Sequence, residues 1–379
     1  MKVALDARYV QDHFPGIGRY TFHLIEALVC LPDGPQLTLL YNPALPDRRY
    51  SLPDLAARFP ERVRLQSTAV RPFSLAEQWA FWSLARRNAF DLWHAPYYIR
   101  PYFLPLPTVL TAYDVTGTRL PEALPSRKAR LAFNLANRLA FRTSRRIIAI
   151  SEFTASDIQR YYGVKPGKMR VIPLGVSSRF KPLDLSEQQV ARARLRLPER
   201  YLLYTGINKP HKNLSRLLEA YRLYREQSGD DINLILAGKE DARYSKDLRK
   251  QVADSGLERA VRFRGEVAEE DLPSLYACAT LFIFPSLYEG FGLPVLEALA
   301  CGVPVACANN TSLPEVAGEA AILFEAENVA AIAEAIGEGL QPARQAVLRH
   351  KGPEQASKFS WQRTAELTLA VYNEIAAGK

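Results

Sequence analysis

Short runs of branched apolar residues alternate with amphipathic helical stretches along these 379 residues, and the alternation runs its course twice. Helix-length segments between consecutive runs demand parallel strands with crossover helices, because a hairpin needs only a few residues to turn. In the first half the runs are Lys2–Leu5, Leu37–Tyr41, Val63–Leu65, Leu92–His94, Thr108–Ala112, Arg146–Ile150 and Met169–Ile172. The second half begins again with Tyr201–Tyr204, Asn233–Ala237, Val261–Phe263, Thr280–Phe284 and Val305–Ala308, and Ala320–Leu323 is a candidate edge. Between the halves Pro173-Leu-Gly-Val-Ser-Ser-Arg-Phe-Lys-Pro182 is rich in chain-breaking residues and without periodicity, as a linker is. The chain also exceeds what one ordinary core accommodates. The expected class is therefore α/β: two doubly wound, Rossmann-like domains facing across a cleft, covering residues 1–176 and 177–360.

Composition excludes several classes. Hydrophobic residues make up 48% and charged residues 23%, so the chain is globular. Cys30, Cys278, Cys301 and Cys307 show no Cys-x-x-Cys spacing and no histidine beside them, which argues against zinc and against a disulfide framework. Asp6 and Arg8 cut short the first apolar run, which reads as a strand and no signal peptide, and a cytoplasmic home is expected. The longest apolar run, Ala298–Ala308, is interrupted by Gly302 and Pro304 and is about half a membrane span. Net charge is +9, yet residues 1–180 hold 25 Lys/Arg against 13 Asp/Glu and residues 181–379 hold 24 against 27. The basic half expects an anionic partner, either a membrane surface or nucleic acid.

Glu289-Gly-Phe-Gly-Leu-Pro-Val-Leu-Glu297 sets two carboxylates eight positions apart around a glycine-rich turn opening an apolar helix. Gly290 and Gly292 let bare amides approach a ligand, and Pro294 suits a first helical turn, so the helix dipole favours an anion there. Carboxylates accept hydrogen bonds that sugar and ribose hydroxyls donate, so the motif suits a nucleotide sugar. A surface helix with an acidic first turn has the same letters. Eight positions turn a helix by two turns and about 80 degrees, which lets Glu289 and Glu297 hold different parts of one ligand. Gly206-Ile-Asn-Lys-Pro-His-Lys-Asn213 follows a strand and gathers Lys209, His211 and Lys212 before a helix at Asn213. Such cations stabilise charge on a departing diphosphate; a helix N-capped by Asn213 with solvated lysines is the plain alternative.

In the first half, Gly16 and Gly18 precede a helix expected near Arg19, a pattern that serves a tight strand-to-helix turn equally well. His94 and Asp114 end predicted strands, where acid–base groups would sit. The helix expected over Ser126–Arg146 puts Ala129, Ala132, Phe133, Leu135, Ala136, Leu139 and Ala140 on one arc. Its other arc carries seven basic residues from Arg127 to Arg146 with Leu131 and Phe141 among them, which suits anionic head groups or a solvated basic face.

Seven stretches carry a family resemblance: Pro15-Gly-Ile-Gly-Arg-Tyr20, Ser151-Glu-Phe153, Val171-Ile-Pro-Leu-Gly-Val176, Lys212-Asn213, Arg262-Phe-Arg-Gly265, Glu289–Glu297 with Ala300-Cys-Gly-Val-Pro304, and Leu313-Pro-Glu-Val-Ala-Gly318. Over essentially its whole length the chain resembles the retaining glycosyltransferases of the GT-B fold, group 1, family 4, near their bacterial mannosyltransferase branch. The resemblance implies an acceptor-binding first domain, a nucleotide-sugar-binding second domain, and a helix over 361–379 that crosses back to the first. It implies that Glu289 contacts the donor sugar, Glu297 the ribose and Lys212 the diphosphate. Amides of Gly290, Phe291, Gly292 and Leu293 would reach sugar and phosphate, joined by Gly206, Asn208, Lys209, His211 and Val267, with Gly16 and Gly18 from the other domain. Two departures stand out. Ile207 occupies a place where many relatives carry arginine, and Tyr113-Asp114 replaces His-Asp, so no family histidine passes to position 113 or to His94.

The expected activity is a metal-independent, cofactor-free, retaining transfer of a hexose from a nucleotide diphosphate sugar. The donor expected is GDP-mannose, or else a UDP-hexose, and the acceptor a hydroxyl of a glycan or lipid-linked glycan in polysaccharide biosynthesis. An epimerase of nucleotide sugars and a non-catalytic basic membrane- or nucleic-acid-binding protein remain as alternatives. No nucleic-acid module is recognisable, so nucleic acid is not expected, whereas an anionic membrane on the cytoplasmic side is.

Overall fold

The computed structural model describes residues 1–378 apart from Pro46, Phe73, Glu122, Ala123 and Pro125. The chain forms two compact units, one of residues 1–175 with 360–379, the other of residues 176–359.

The first unit contains β1 (Lys2–Asp6), α1 (Pro15–Cys30), β2 (Gln36–Tyr41), α2 (Leu52–Arg58), β3 (Val63–Ser67), α3 (Ala76–Arg87) and β4 (Leu92–Ala95). It continues through β5 (Thr108–Ala112), α4 (Thr116–Arg119), α5 (Arg127–Thr143), β6 (Arg146–Ala149), α6 (Glu152–Tyr162) and β7 (Met169–Val171). Its strands form one sheet in the order β3-β2-β1-β4-β5-β6-β7, and every neighbouring pair is parallel. Helices on both faces bury β4 and β5 throughout, which is why these strands are apolar runs without alternation. Phe81 of α3, Phe141 of α5 and Ile158 of α6 share one core cluster with Trp93 and Leu110, so these three helices cover the same face of the sheet. That is the arrangement right-handed crossovers require when strand order runs outward from β1 on that side.

The second unit contains α7 (Leu185–Leu195), β8 (Tyr201–Thr205), α8 (Leu214–Ser228), β9 (Asn233–Ala237), α9 (Ala242–Asp254), β10 (Val261–Gly265) and α10 (Leu272–Ala277). After these come β11 (Leu281–Phe284), α11 (Leu293–Ala300), β12 (Val305–Ala308), α12 (Leu313–Ala317), β13 (Ile322–Phe324), α13 (Val329–Leu340) and α14 (Pro342–Ala356). Its sheet runs β10-β9-β8-β11-β12-β13, again all parallel. The last helix, α15 (Trp361–Ala377), belongs to the first unit. Val371, Tyr372 and Ile375 of α15 are buried there, and Glu374 lies 3.4 Å from Arg146 and 3.0 Å from Arg170. Both sheets are thus doubly wound Rossmann-like assemblies whose strand order reverses once, beside β1 and beside β8.

Candidate active site

Strand order in the second sheet reverses between β8 and β11, and the loops leaving their carboxyl ends carry the two motifs singled out in the sequence. Such a switch point leaves a crevice where two loops diverge, and ligands of open α/β sheets bind in it. Here the two loops are tied together. His211 O accepts from Leu287 N at 2.7 Å and from Ser286 Oγ at 3.2 Å. Asn213 Nδ2 donates to Pro285 O at 3.1 Å and to Ala326 O at 2.7 Å. Asn213 holds φ +61°, a left-handed conformation that asparagine tolerates better than most residues, between the short 3-10 turn Pro210–Lys212 and α8. Its side chain makes no cap bond to α8, against the plain alternative, because Nδ2 is turned to those two carbonyls and Oδ1 accepts from Arg216 Nη1 at 3.0 Å.

The loops meet in one charged contact. Lys212 Nζ lies 2.5 Å from Glu289 Oε1, both side chains being about 14% exposed, and 5.5 Å above the Phe284 ring. The Glu289 backbone is fixed from a third loop: its N–H donates to Thr311 Oγ1 at 3.3 Å, and Ser312 Oγ donates to its carbonyl at 3.0 Å and to Phe291 O at 2.9 Å. Gly292 opens α11 at φ +109°, and a Cβ there would sit 2.6 Å from Leu313 Cδ2. No side chain caps α11, so the positive end of its dipole keeps its capacity for an incoming anion. Gly290 and Leu293 are half-buried, whereas the Phe291 ring is buried against Phe359, so Phe291 can offer a ligand only its backbone.

Glu297 lies about one turn into α11, which begins at Leu293, whereas Glu289 precedes the helix. Glu297 is 3% exposed, and its Oε2 accepts from Tyr276 OH at 3.0 Å. Tyr276 OH is also 2.6 Å from Thr205 Oγ1, at the end of β8. The remaining donor candidates divide. Asn208 is buried and works on its own scaffold, donating to Ser245 Oγ at 2.9 Å and accepting from Asp241 N at 2.5 Å. Lys209 is exposed, and Val267 is half-buried in the loop after β10. Desolvation, with Lys212 and Lys209 adding to it, pushes the His211 imidazole down to about 3. At neutral pH His211 is therefore uncharged, which corrects its expected part in the cationic cluster and leaves Lys212 and Lys209 as the cations.

In the first unit α1 starts at Pro15, so Gly16 and Gly18 lie inside its first turn and do not precede the helix. A Cβ on Gly16 would meet nothing, whereas one on Gly18 would come 3.0 Å from Tyr9 O. His94, expected as an acid–base group, is fully buried: Nδ1 lies 2.5 Å from Tyr372 OH and Nε2 2.8 Å from Thr111 Oγ1. Burial pushes the imidazole down to about 3. With both nitrogens engaged and no solvent contact it is a structural residue. Asp114 is half-buried and its Oδ1 accepts from Thr116 N at 2.8 Å, which starts α4. Helix α5 is rotated from the expected arcs: Phe141 is buried against Tyr162, while Leu135 and Ala132 face solvent.

Sequence reasoning did not single out Tyr276, Thr205, Thr311 or Ser312. Asn310-Thr-Ser312, a polar run soon after a strand and directly before the Leu313–Gly318 motif, was the available signal for the last two.

Comparison with known proteins bears on the family and the fold. The family Glycosyl transferases group 1 matches residues 186–351, and Glycosyltransferase Family 4 matches residues 15–180. O-antigen chain mannosyltransferase B of Escherichia coli is 30% identical over 383 residues, covering 98% of this chain and 99% of that protein. Sucrose-phosphate synthase from Thermosynechococcus elongatus superposes with a TM-score of 0.80 at 22% identity, covering 100% of both chains. HepE of Anabaena in complex with UDP and glucose gives 0.76 at 22% identity, covering 99% of this chain and 100% of that one. These two share the fold. Matches to both halves and to a full-length relative place the chain in a family, and it belongs to the glycosyltransferases of group 1 and family 4, built on the GT-B fold.

Proposed function

We propose that this enzyme transfers mannose from GDP-mannose, with retention of configuration and without a metal, to a hydroxyl of a glycan or lipid-linked glycan. The observation that carries the reading is the Lys212–Glu289 pair held at the switch point beside the uncapped start of α11. A diphosphate arriving at those amides competes with Glu289 for Lys212. Lys212 then pairs with the phosphate, and Glu289 is released to accept a hydroxyl of the transferred sugar. Glu297 takes the ribose hydroxyls, with Tyr276 steadying its carboxylate. The acceptor oxygen bonds to the anomeric carbon on the face from which the diphosphate leaves; the bond from that carbon to the phosphate oxygen breaks, and the acceptor proton passes to the departing phosphate. Lys212, Lys209 and the α11 amides supply the positive charge that the leaving group needs, which is the reason for reading the reaction as metal-independent.

The similarity to the E. coli mannosyltransferase supports mannose, and that of HepE, solved with UDP and glucose, keeps a UDP-hexose as the second reading. A panel of nucleotide sugars tested for thermal stabilisation, then for transfer with and without EDTA, separates them. Lys212→Ala and Glu289→Ala are each expected to lower transfer at least about 100-fold with the fold intact. Full activity in either variant overturns the site. Conversion of the donor without any acceptor would favour epimerisation.

A further inference from the structure

A groove opens at the amino ends of β5, β6 and β7, the end of the first sheet away from its switch point, and we propose that it binds a soluble anion carrying two or more phosphate groups. It measures about 1210 Å³, well above the roughly 300 Å³ at which small-molecule sites begin, so it has room for a molecule and not merely for one ion. Six cations line it: Arg138 and Arg142 on α5, Arg145 and Arg146 at the start of β6, and Lys165 and Lys168 about the short 3-10 turn Pro166–Lys168. No Asp or Glu is among its described lining residues. Arg146 has an ion pair, with Glu374 at 3.4 Å, but Glu374 is shared with Arg170 at 3.0 Å.

Like charges spread over an open surface are screened by water and salt and need no explanation. These stand around buried Phe141 and Val164 and the half-buried rings of Tyr161 and Tyr162, so they act on one another partly through protein. A seventh charge lies behind the wall. Arg100 is fully buried, and its Nη2 donates to Thr143 Oγ1 at 2.6 Å and to Ser144 Oγ at 3.0 Å, both of them groove residues. Its other bonds go to Pro101 O and Ala140 O, and its Nε has no partner among the described residues, so no carboxylate is bonded to this guanidinium. Burial, with Arg100 adding to it, pushes the Lys168 ammonium below its ordinary value. Guanidinium forks take phosphate oxygens in pairs and ammonium groups act as point charges, so one anion with several phosphates meets a field that no side chain of the chain neutralises. The groove shares no residue with the site around Lys212 and Glu289, so anion binding and sugar transfer are read separately.

The test is calorimetric titration of the full chain with inorganic tripolyphosphate and with orthophosphate. Tripolyphosphate is expected to bind at least about tenfold tighter than orthophosphate, and to weaken at least about tenfold between about 0.05 M and about 0.5 M salt. Arg142 and Lys165 are both exposed, so the pair Arg142→Gln with Lys165→Gln removes two charges without opening the core. That pair should weaken tripolyphosphate at least about tenfold with transfer to a water-soluble acceptor unchanged, whereas Arg142→Lys with Lys165→Arg, which keeps the charge, should stay within about threefold of the parent. Lys212→Ala should leave groove binding in place. Binding that survives the glutamine pair and disappears in Lys212→Ala would put the anion in the donor site and overturn the inference. Equal affinity for tripolyphosphate and orthophosphate would overturn it too, as would displacement of tripolyphosphate by phosphatidylglycerol vesicles at equal phosphate concentration, which would make the groove a lipid contact.

Discussion

Two histidines in this chain are kept neutral by their surroundings, and the pH dependence of stability follows from that. His94, wedged between Tyr372 and Thr111, and His211, half-buried beside two lysines, both titrate near 3 in the fold. In the unfolded chain each takes a proton near 6.5. Between these values the unfolded state binds more protons, so stability is full above about pH 6.5 and falls as the pH drops toward 3, by about 1.4 kcal/mol per pH unit for each group. His94→Gln is therefore expected to melt lower than the parent at pH 7, by about 1–3 kcal/mol for the broken buried network, and to lose stability less steeply between pH 6 and pH 4. Its transfer rate at pH 7 should stay within about threefold. Thermal melts across that pH range, run beside initial rates, check both halves; a rate collapse in a protein that melts normally would return His94 to the chemistry.

At the level of elements, the joint between β8 and α8 depends on Asn213 in two ways: a left-handed backbone at φ +61° and two carbonyls served by its side chain. Replacement by glycine loses the second and relaxes the first, whereas alanine loses the second and must hold the strained conformation. Asn213→Ala should be less stable than Asn213→Gly by about 1–2 kcal/mol in urea unfolding, and equal values would show that the backbone there carries no strain. This joint also marks where sequence reading stops. Strands such as Tyr201–Tyr204 and Val305–Ala308 were legible because burial on both sheet faces leaves them little but apolar residues. Glu289, Glu297 and Lys212 stood out because glycines and cations cluster at strand ends. Asn213 at a helix start has an obvious local use as an N-cap, and only the β11 and β13 loops, distant in sequence, reveal the other. In α5, Leu135 and Phe141 are both apolar, so periodicity alone leaves the helix free to rotate; packing of Phe141 on Tyr162, 5.0 Å between centroids, settles it. Tyr276 reaches Glu297 from a different helix, a pairing with no spacing to read.

For the molecule as a whole, the decisive feature is that its first unit is built from two pieces of chain, residues 1–175 and 360–379, while the second is one continuous piece. The chain leaves and re-enters the first unit at the same spot. A Cβ on Gly175 would lie 2.1 Å from Trp361 N and 2.5 Å from Ser360 C, and Thr364 Oγ1 donates to Pro173 O at 2.8 Å close by. Those contacts are backbone, which cannot swing aside as the end of a side chain can, so any larger residue must push the start of α15 away. α15 contributes Tyr372 and Val371 to the core and Glu374 to Arg146 and Arg170, so the displacement weakens more than one turn of helix. Gly175→Ala is accordingly expected to cost the first unit about 1–3 kcal/mol. Because residues 176–359 close on themselves, calorimetry should show one transition moving down and another staying in place. If both move together, the two units unfold as a single cooperative body, and if neither moves, the return of α15 is looser than its contacts imply.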